Sequence, residues 1–183
     1  MPAPNESSGE RAAVFLDRDG TIMKDADYCG DPRKVEVFAG ASAALQRLKT
    51  AGLQIFVITN QSGIGRGYFS ETDYRAVEAE VERQLGAGLI AATYFCPDSP
   101  DSHSLRRKPA PEMIFEAQRD YALDLARSFM VGDKPIDVEC GRNAGVRTIL
   151  VHTGKTKPPG TNGADWEARD LTEAVEIILR HAR

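Results

Sequence analysis

The chain has 183 residues, 42% of them hydrophobic and 27% charged, with a formal net charge of −4. That length suits one domain with a substantial core, and the acidic balance excludes a broad basic surface for nucleic acid. Three scattered cysteines, Cys29, Cys96 and Cys140, form no C-x-x-C pair, so a reduced, cytoplasmic protein without a disulfide frame is expected, and no apolar run reaches the length of a membrane span.

Residues 1–11 are polar, with prolines and serines and no apolar run of a signal peptide. They are expected to form a flexible N-terminus ahead of a single domain over 12–183. The run 12–16 reads as a buried strand that ends in Asp17, Arg18, Asp19, Gly20 and Thr21. Gly20 reads as the turn that closes it. Residues i and i+2 of a strand share a face. Asp17 and Asp19 therefore aim into one pocket at the carboxyl end of a strand, where open α/β sheets bind ligands. Two carboxylates that close repel unless a cation lies between them or one is protonated. Oxygen ligands favour a hard cation. Taken alone, the same residues also read as an ordinary turn.

The segment 22–38 carries Asp25, Asp27, Gly30, Asp31 and Pro32 and reads as a loop beside the aspartate pair. Ala41, Ala44, Leu45 and Leu48 fall on one helical face, and Gly52 ends that helix. A second buried strand, 53–58, runs into Thr59, Asn60, Gln61, Ser62 and Gly63. Ser70 and Asp73 resemble a capping box. The helix they open shows Tyr74, Val77, Val81 and Leu85 at helical spacing. Residues 91–96 form a third strand, and 97–108 a loop. Pro111 suits the first turn of a helix reaching about Leu123. A fourth strand, 128–131, meets Gly132 and Asp133, followed by a short helix to Asn143 that Gly145 closes. A fifth strand spans 146–151. Leu171, Ala174, Val175, Ile178 and Leu179 give a final amphipathic helix. This alternation predicts a three-layer, Rossmann-like α/β fold: a parallel sheet with helices on both faces. No connection is long enough for a separate cap domain.

Four positions next to strands or helices then carry complementary groups: Asp17 and Asp19; Thr59 and Asn60; Arg106, Arg107 and Lys108 before Pro109; and Asp133, with Asp137 one turn later. Each alone is a commonplace turn, basic run or helix cap. Together they place carboxylates for a cation, a hydroxyl and amides for an anion, and a fixed positive charge. That set describes phosphoryl chemistry.

Asp17-Arg18-Asp19-Gly20-Thr21 matches the D-x-D-x-T motif of the haloacid dehalogenase superfamily phosphatases. Thr59, Lys108 and Gly132-Asp133 with Asp137 match that family's remaining motifs, and on these residues the chain resembles it along nearly its whole length. The stretch Thr59-Asn60-Gln61-Ser62-Gly63-Ile64-Gly65-Arg66-Gly67 narrows the resemblance. So do Arg107-Lys108-Pro109 and Met130-Val131-Gly132-Asp133-Lys134. They are similar to the branch of D-glycero-D-manno-heptose 1,7-bisphosphate 7-phosphatases and histidinol-phosphatases, compact members without a cap domain.

The resemblance implies a magnesium-dependent phosphatase that forms an aspartyl-phosphate. The implied substrate is heptose 1,7-bisphosphate at its 7-phosphate, a lipopolysaccharide precursor. Histidinol phosphate is the alternative substrate, and a non-catalytic phosphosugar-binding protein the alternative of another class. It implies that Asp17 is the nucleophile and that Asp19 is first general acid, then general base. Magnesium is held by Asp17, the Asp19 carbonyl and Asp133, with Asp137 in support. Thr59, Asn60 and Lys108 bind the phosphoryl group, while Asp25, Tyr28, Gln61, Ser62, Arg107 and Lys134 meet the rest of the substrate. The implied partner is a small phosphorylated metabolite, with no nucleic acid and no membrane, and the expected state is a monomer. Arg106 and Arg107 favour a second anionic group, because Arg binds phosphate bidentately. One departure stands out. The branch commonly carries a zinc loop of the form C-x-H followed by C-x-C. Here Asp98 follows Cys96 at the histidine position, and no cysteine lies between Asp98 and Arg107. A structural zinc takes four N or S ligands, which Cys96 and His103 cannot supply, so no structural zinc is expected.

Overall fold

A computed structural model describes residues 11–155, 160 and 162–182 of the chain. The expected flexibility of the N-terminus falls outside the described residues except at Arg11. Arg11 pairs with Leu123 in an isolated bridge, and its carbonyl accepts from the Asp124 N–H at 3.0 Å.

Six strands form one sheet: β1 (Ala13–Leu16), β2 (Gln54–Asn60), β3 (Ala92–Cys96), β4 (Phe129–Gly132), β5 (Arg147–Val151) and β6 (Trp166–Ala168). Their order is β3-β2-β1-β4-β5-β6, and every neighbouring pair is parallel. The helices are α1 (Ala41–Thr50), α2 (Ser62–Gly65), α3 (Glu71–Leu85), α4 (Glu112–Tyr121), α5 (Pro135–Ala144) and α6 (Leu171–His181). This is the three-layer, Rossmann-like arrangement that the alternation predicts.

Strand β1 shows why the sheet is covered on both sides. Successive side chains point to opposite faces. Val14 and Leu16 pack with Leu45 and Leu48 of α1, Val77 and Val81 of α3 and Val175 and Ile178 of α6. Ala13 and Phe15 pack with Met113 and Ile114 of α4 and Cys140 of α5. Every β1 residue is buried, as expected of a parallel strand between two helical layers. The register sets up the site. Leu16 lies opposite Val57 on one side and Val131 on the other. Within two residues of that level, the three central strands deliver Asp17, Thr59 and Asp133 at the same edge.

Two elements were not expected. Strand β6 is three residues long and only Ala168 is buried, so it carries no readable period and exists by pairing with β5. Helix α2 is one turn of Ser-Gly-Ile-Gly, too short to show a periodic face. The 22–38 loop contains a single 3-10 turn, Pro32–Lys34, capped by Asp31. Among the described residues no helix is long and apolar enough to cross a membrane.

The capping box at α3 is present. Ser70 Oγ accepts from the Asp73 N–H at 3.1 Å, and the Ser70 N–H donates to Asp73 Oδ2 at 2.8 Å. Ser70→Ala should therefore lower stability by about 1 kcal/mol in urea unfolding and leave turnover per folded molecule unchanged.

Candidate active site

Lys108 sits at the centre of the buried polar cluster. Its Nζ lies 2.6 Å from Asp17 Oδ1 and 2.7 Å from Asp137 Oδ1, and donates to the Ile58 carbonyl at 2.8 Å. An ammonium has three donors, and all three are engaged. The backbone that carries it is fixed by Asn60. The Lys108 N–H donates to Asn60 Oδ1 at 3.0 Å, and Asn60 Nδ2 donates to the Lys108 carbonyl at 3.2 Å. The Asn60 side chain is thus spent on positioning Lys108.

Asp17, Thr59, Lys108, Asp133 and Asp137 are all buried. Burial pushes the Asp17 carboxyl above the ordinary range, against the pull of Lys108. Burial also works against the Lys108 charge, but Asp137 and Asp17 outweigh it and hold the ammonium well above the usual lysine range. Asp133 is pushed up to about 8, first by burial and then by the charge of Asp17.

The carboxylates of Asp17, Asp133 and Asp137 offer oxygens within 4.8 Å of one another, the one such group among the described residues. Asp137 is largely committed: one oxygen faces Lys108, and Oδ2 accepts from the Lys134 N–H at 3.0 Å, capping α5. Asp133 Oδ1 is buried without a hydrogen-bond partner, a costly state for a polar atom. Two glycines make room for this side chain. A Cβ on Gly154 would fall 2.1 Å from Asp133 Oδ2, and one on Gly20, whose φ is +90°, would fall 2.5 Å from it. A hard cation fits this donor set: it would partner the orphaned oxygen and offset the carboxylate charge.

On the other side of the site, Arg18 Nε donates to Asp19 Oδ2 at 3.0 Å and Arg18 Nη2 to Asp19 Oδ1 at 3.1 Å. Gln61 Nε2 donates to Asp19 Oδ2 at 2.9 Å and to Thr59 Oγ1 at 2.8 Å. Gln61 Oε1 accepts from Arg18 Nη2 at 3.1 Å. Gln61 is only 4% exposed and Arg18 2%. The sequence reading grouped Gln61 with the outer substrate contacts and gave Arg18 no role. The only available signal for Arg18 was its position between the two motif aspartates.

A cavity of about 320 Å³ opens beside these groups. It brings together Asp19, Asn60 and Gln61 with five residues expected to meet the substrate: Asp25, Tyr28, Ser62, Arg107 and Lys134. Lys134 Nζ pairs with Asp25 Oδ2 at 3.3 Å. Burial opposes the Lys134 charge, but Asp133, Asp17 and Asp25 raise its proton affinity above the ordinary range. Tyr28 is exposed and stacks edge-on against Tyr68, with ring centroids 4.9 Å apart. Asp27 and Tyr28 have φ of 47° and 53°, strained values for residues with side chains.

Arg107 lines this cavity, its Nη1 donating to the Asp98 carbonyl at 3.1 Å. Arg106 does not line it. Its Nη2 donates to Glu116 Oε2 of α4 at 2.8 Å, which corrects the reading of both arginines as anion-binding. Cys96 Sγ lies 3.5 Å from Asp98 Oδ2 and 3.7 Å from Ser104 Oγ, and His103 is exposed.

Comparison with known proteins agrees with this geometry. Residues 105–175 match the HAD-hydrolase-like family model. The D-glycero-beta-D-manno-heptose-1,7-bisphosphate 7-phosphatase of Escherichia coli K12 is 37% identical, over 93% of this chain and 95% of that protein. The Helicobacter pylori J99 protein of the same name is 35% identical, over 91% and 96%. The crystal structure of D,D-heptose 1,7-bisphosphate phosphatase from B. bronchiseptica, complexed with magnesium and phosphate, superposes with a TM-score of 0.85. It is 31% identical, covering 92% of this chain and 98% of that one. A putative HAD-like phosphatase from Mesorhizobium loti superposes with a TM-score of 0.79 at 34% identity, covering 94% and 86%. Likeness at this level, over nearly the full length of both partners, makes this chain a member of the haloacid dehalogenase-like phosphatases, and a phosphoric monoester hydrolase.

Proposed function

We propose that this chain is a magnesium-dependent phosphatase that removes the 7-phosphate of D-glycero-D-manno-heptose 1,7-bisphosphate through an aspartyl-phosphate on Asp17. The observation that carries the reading is the buried Asp17–Lys108 contact beside an unpartnered Asp133 oxygen. Lys108 offsets the negative charge that would otherwise repel a phosphate from Asp17.

In the first half-reaction an Asp17 oxygen attacks phosphorus and the bond to the sugar oxygen breaks. Asp19 delivers a proton to that leaving oxygen. In the second, a water oxygen attacks the phosphorus of the aspartyl-phosphate. Its proton passes to Asp19, and Asp17 and inorganic phosphate are released. The Thr59 hydroxyl holds the phosphoryl oxygens, and Lys108, braced by Asn60, offsets their charge. Magnesium, held by Asp17, Asp133 and the Asp19 carbonyl with Asp137 in support, would supply positive charge to those oxygens.

Substrate choice is assigned to the adjoining cavity. Arg107 and Lys134 bring positive charge to it, which suits a second phosphate. The names of the relatives support the same substrate. Histidinol phosphate carries an amine that would meet this basic pair unfavourably. A single copy supplies all of these groups, which supports action as a monomer. Free, buried Cys29, Cys96 and Cys140 support a reducing, cytoplasmic setting.

Comparing kcat/KM on the two substrates tests the assignment. Heptose 1,7-bisphosphate should exceed histidinol phosphate by about tenfold or more, as expected when one substrate leaves charged groups unpaired; the opposite order overturns it. Asp17→Asn should lower turnover by roughly 10³-fold or more, measured as phosphate release.

Metal dependence should show in stability. Asp133 moves from 3.8 to about 8 on folding. Between those values the folded chain holds a proton that the unfolded chain releases. The associated stability is full below the lower value and fades as pH rises through the upper one. Magnesium bound at Asp133 would take over from that proton. The rise in Tm on adding magnesium should be larger at pH 8 than at pH 5, and absent in Asp133→Asn.

A further inference from the structure

The phosphoryl chemistry gives no part to the two most deeply buried polar side chains beside Asp19, Arg18 and Gln61. Burying a guanidinium and an amide is costly in desolvation unless each finds partners. Apolar side chains would pack that space at lower cost. Arg18 also sits 5.5 Å from the centre of the Tyr74 ring, so its position is fixed from behind.

The hydrogen bonds have a forced direction. Arginine only donates, so the Gln61 end that faces Arg18 Nη2 must be the oxygen. That fixes the amide against flipping and turns Nε2 toward Thr59 and Asp19. Its two protons go to Thr59 Oγ1 and Asp19 Oδ2. Thr59 Oγ1 is thereby an acceptor toward Gln61, which leaves its own O–H free to donate elsewhere. The Asp19 carboxylate meanwhile receives from Arg18 through two nitrogens and from Gln61 through one.

We propose that Arg18 and Gln61 are positioning residues that orient both ends of the reaction at once. Gln61 turns the Thr59 hydroxyl toward the phosphoryl group. Arg18 and Gln61 together aim the Asp19 carboxylate at the leaving oxygen. The proposal rests on the reading of Asp19 as the general acid.

The two functions separate with leaving group. A sugar alkoxide needs the proton from Asp19; p-nitrophenolate departs without one. kcat/KM covers the steps through leaving-group departure, so it reports the acid directly. In the magnesium-loaded enzyme, Arg18→Met should lower kcat/KM on heptose 1,7-bisphosphate. That loss should exceed the loss on p-nitrophenyl phosphate by roughly tenfold to hundredfold. It should appear in kcat, with KM within about twofold. Arg18→Lys, which keeps the charge but not the planar fork, should show the same imbalance and serves if Arg18→Met does not fold. Gln61→Leu should lower both substrates, the sugar phosphate more. On p-nitrophenyl phosphate, Gln61→Leu added to Thr59→Val should cost nothing further, because one interaction is then removed twice.

Asp19→Asn is the reference. If it shows the imbalance while the Arg18 and Gln61 variants lower both substrates equally, or neither, the positioning proposal is overturned alone. If Asp19→Asn itself shows no imbalance, the general-acid reading falls and takes the proposal with it.

Discussion

The contact between Lys108 and Asp17 is the constraint on which the site depends. Burial disfavours the charged form of this carboxyl, and a fixed cation opposes that effect. Lys108 supplies that cation from outside the sheet, on a loop. It is held there by a side chain of β2, Asn60, and by the Ile58 carbonyl. Strand β1 places Asp17, the proposed nucleophile, β2 fixes its counter-ion through Asn60, and β4 places Asp133 at the same edge. The parallel register makes these three deliveries coincide. The outer cavity has looser demands: Lys134 and Asp25 pair with each other, and Arg107 is held by a backbone carbonyl.

The central fold was legible because its signals are periodic. Strand β1 is apolar at every position, and α3 repeats Tyr74, Val77, Val81 and Leu85 inward. Strand β6 was not legible, because three residues show no period and its identity comes from its partner. The grouping of the site was legible in the order of its motifs, since Asp17 and Asp133 from two strand ends meet Lys108 from a loop. It was not legible where the task depends on side-chain direction. Arg106 and Arg107 are neighbours in sequence, yet one pairs with Glu116 on α4 and the other lines the cavity. Gln61 is expected among the substrate contacts but also folds back beneath Asp19. Such outcomes are decided by contacts between strands that no local pattern encodes.

The loop over 97–108 is held by polar contacts. Cys96, Asp98 and Ser104 lie together beside it, and the Arg106–Glu116 ion pair ties it to α4. These contacts act together to set the direction of Arg107, whose guanidinium is also held by the Asp98 carbonyl. In the proposed function, substrate choice rests on Arg107 of this loop and the chemistry on the buried cluster behind it.

The central claim is that phosphorus becomes bonded to Asp17. Mixing the magnesium-loaded enzyme with its phosphate ester, quenching in acid within one turnover and digesting the chain would locate the phosphoryl group by mass spectrometry. The account predicts an acid-stable, alkali-labile phosphoryl adduct on the peptide carrying Asp17, absent from Asp17→Asn. Phosphate release at the full rate with no adduct on that peptide at any time would contradict it.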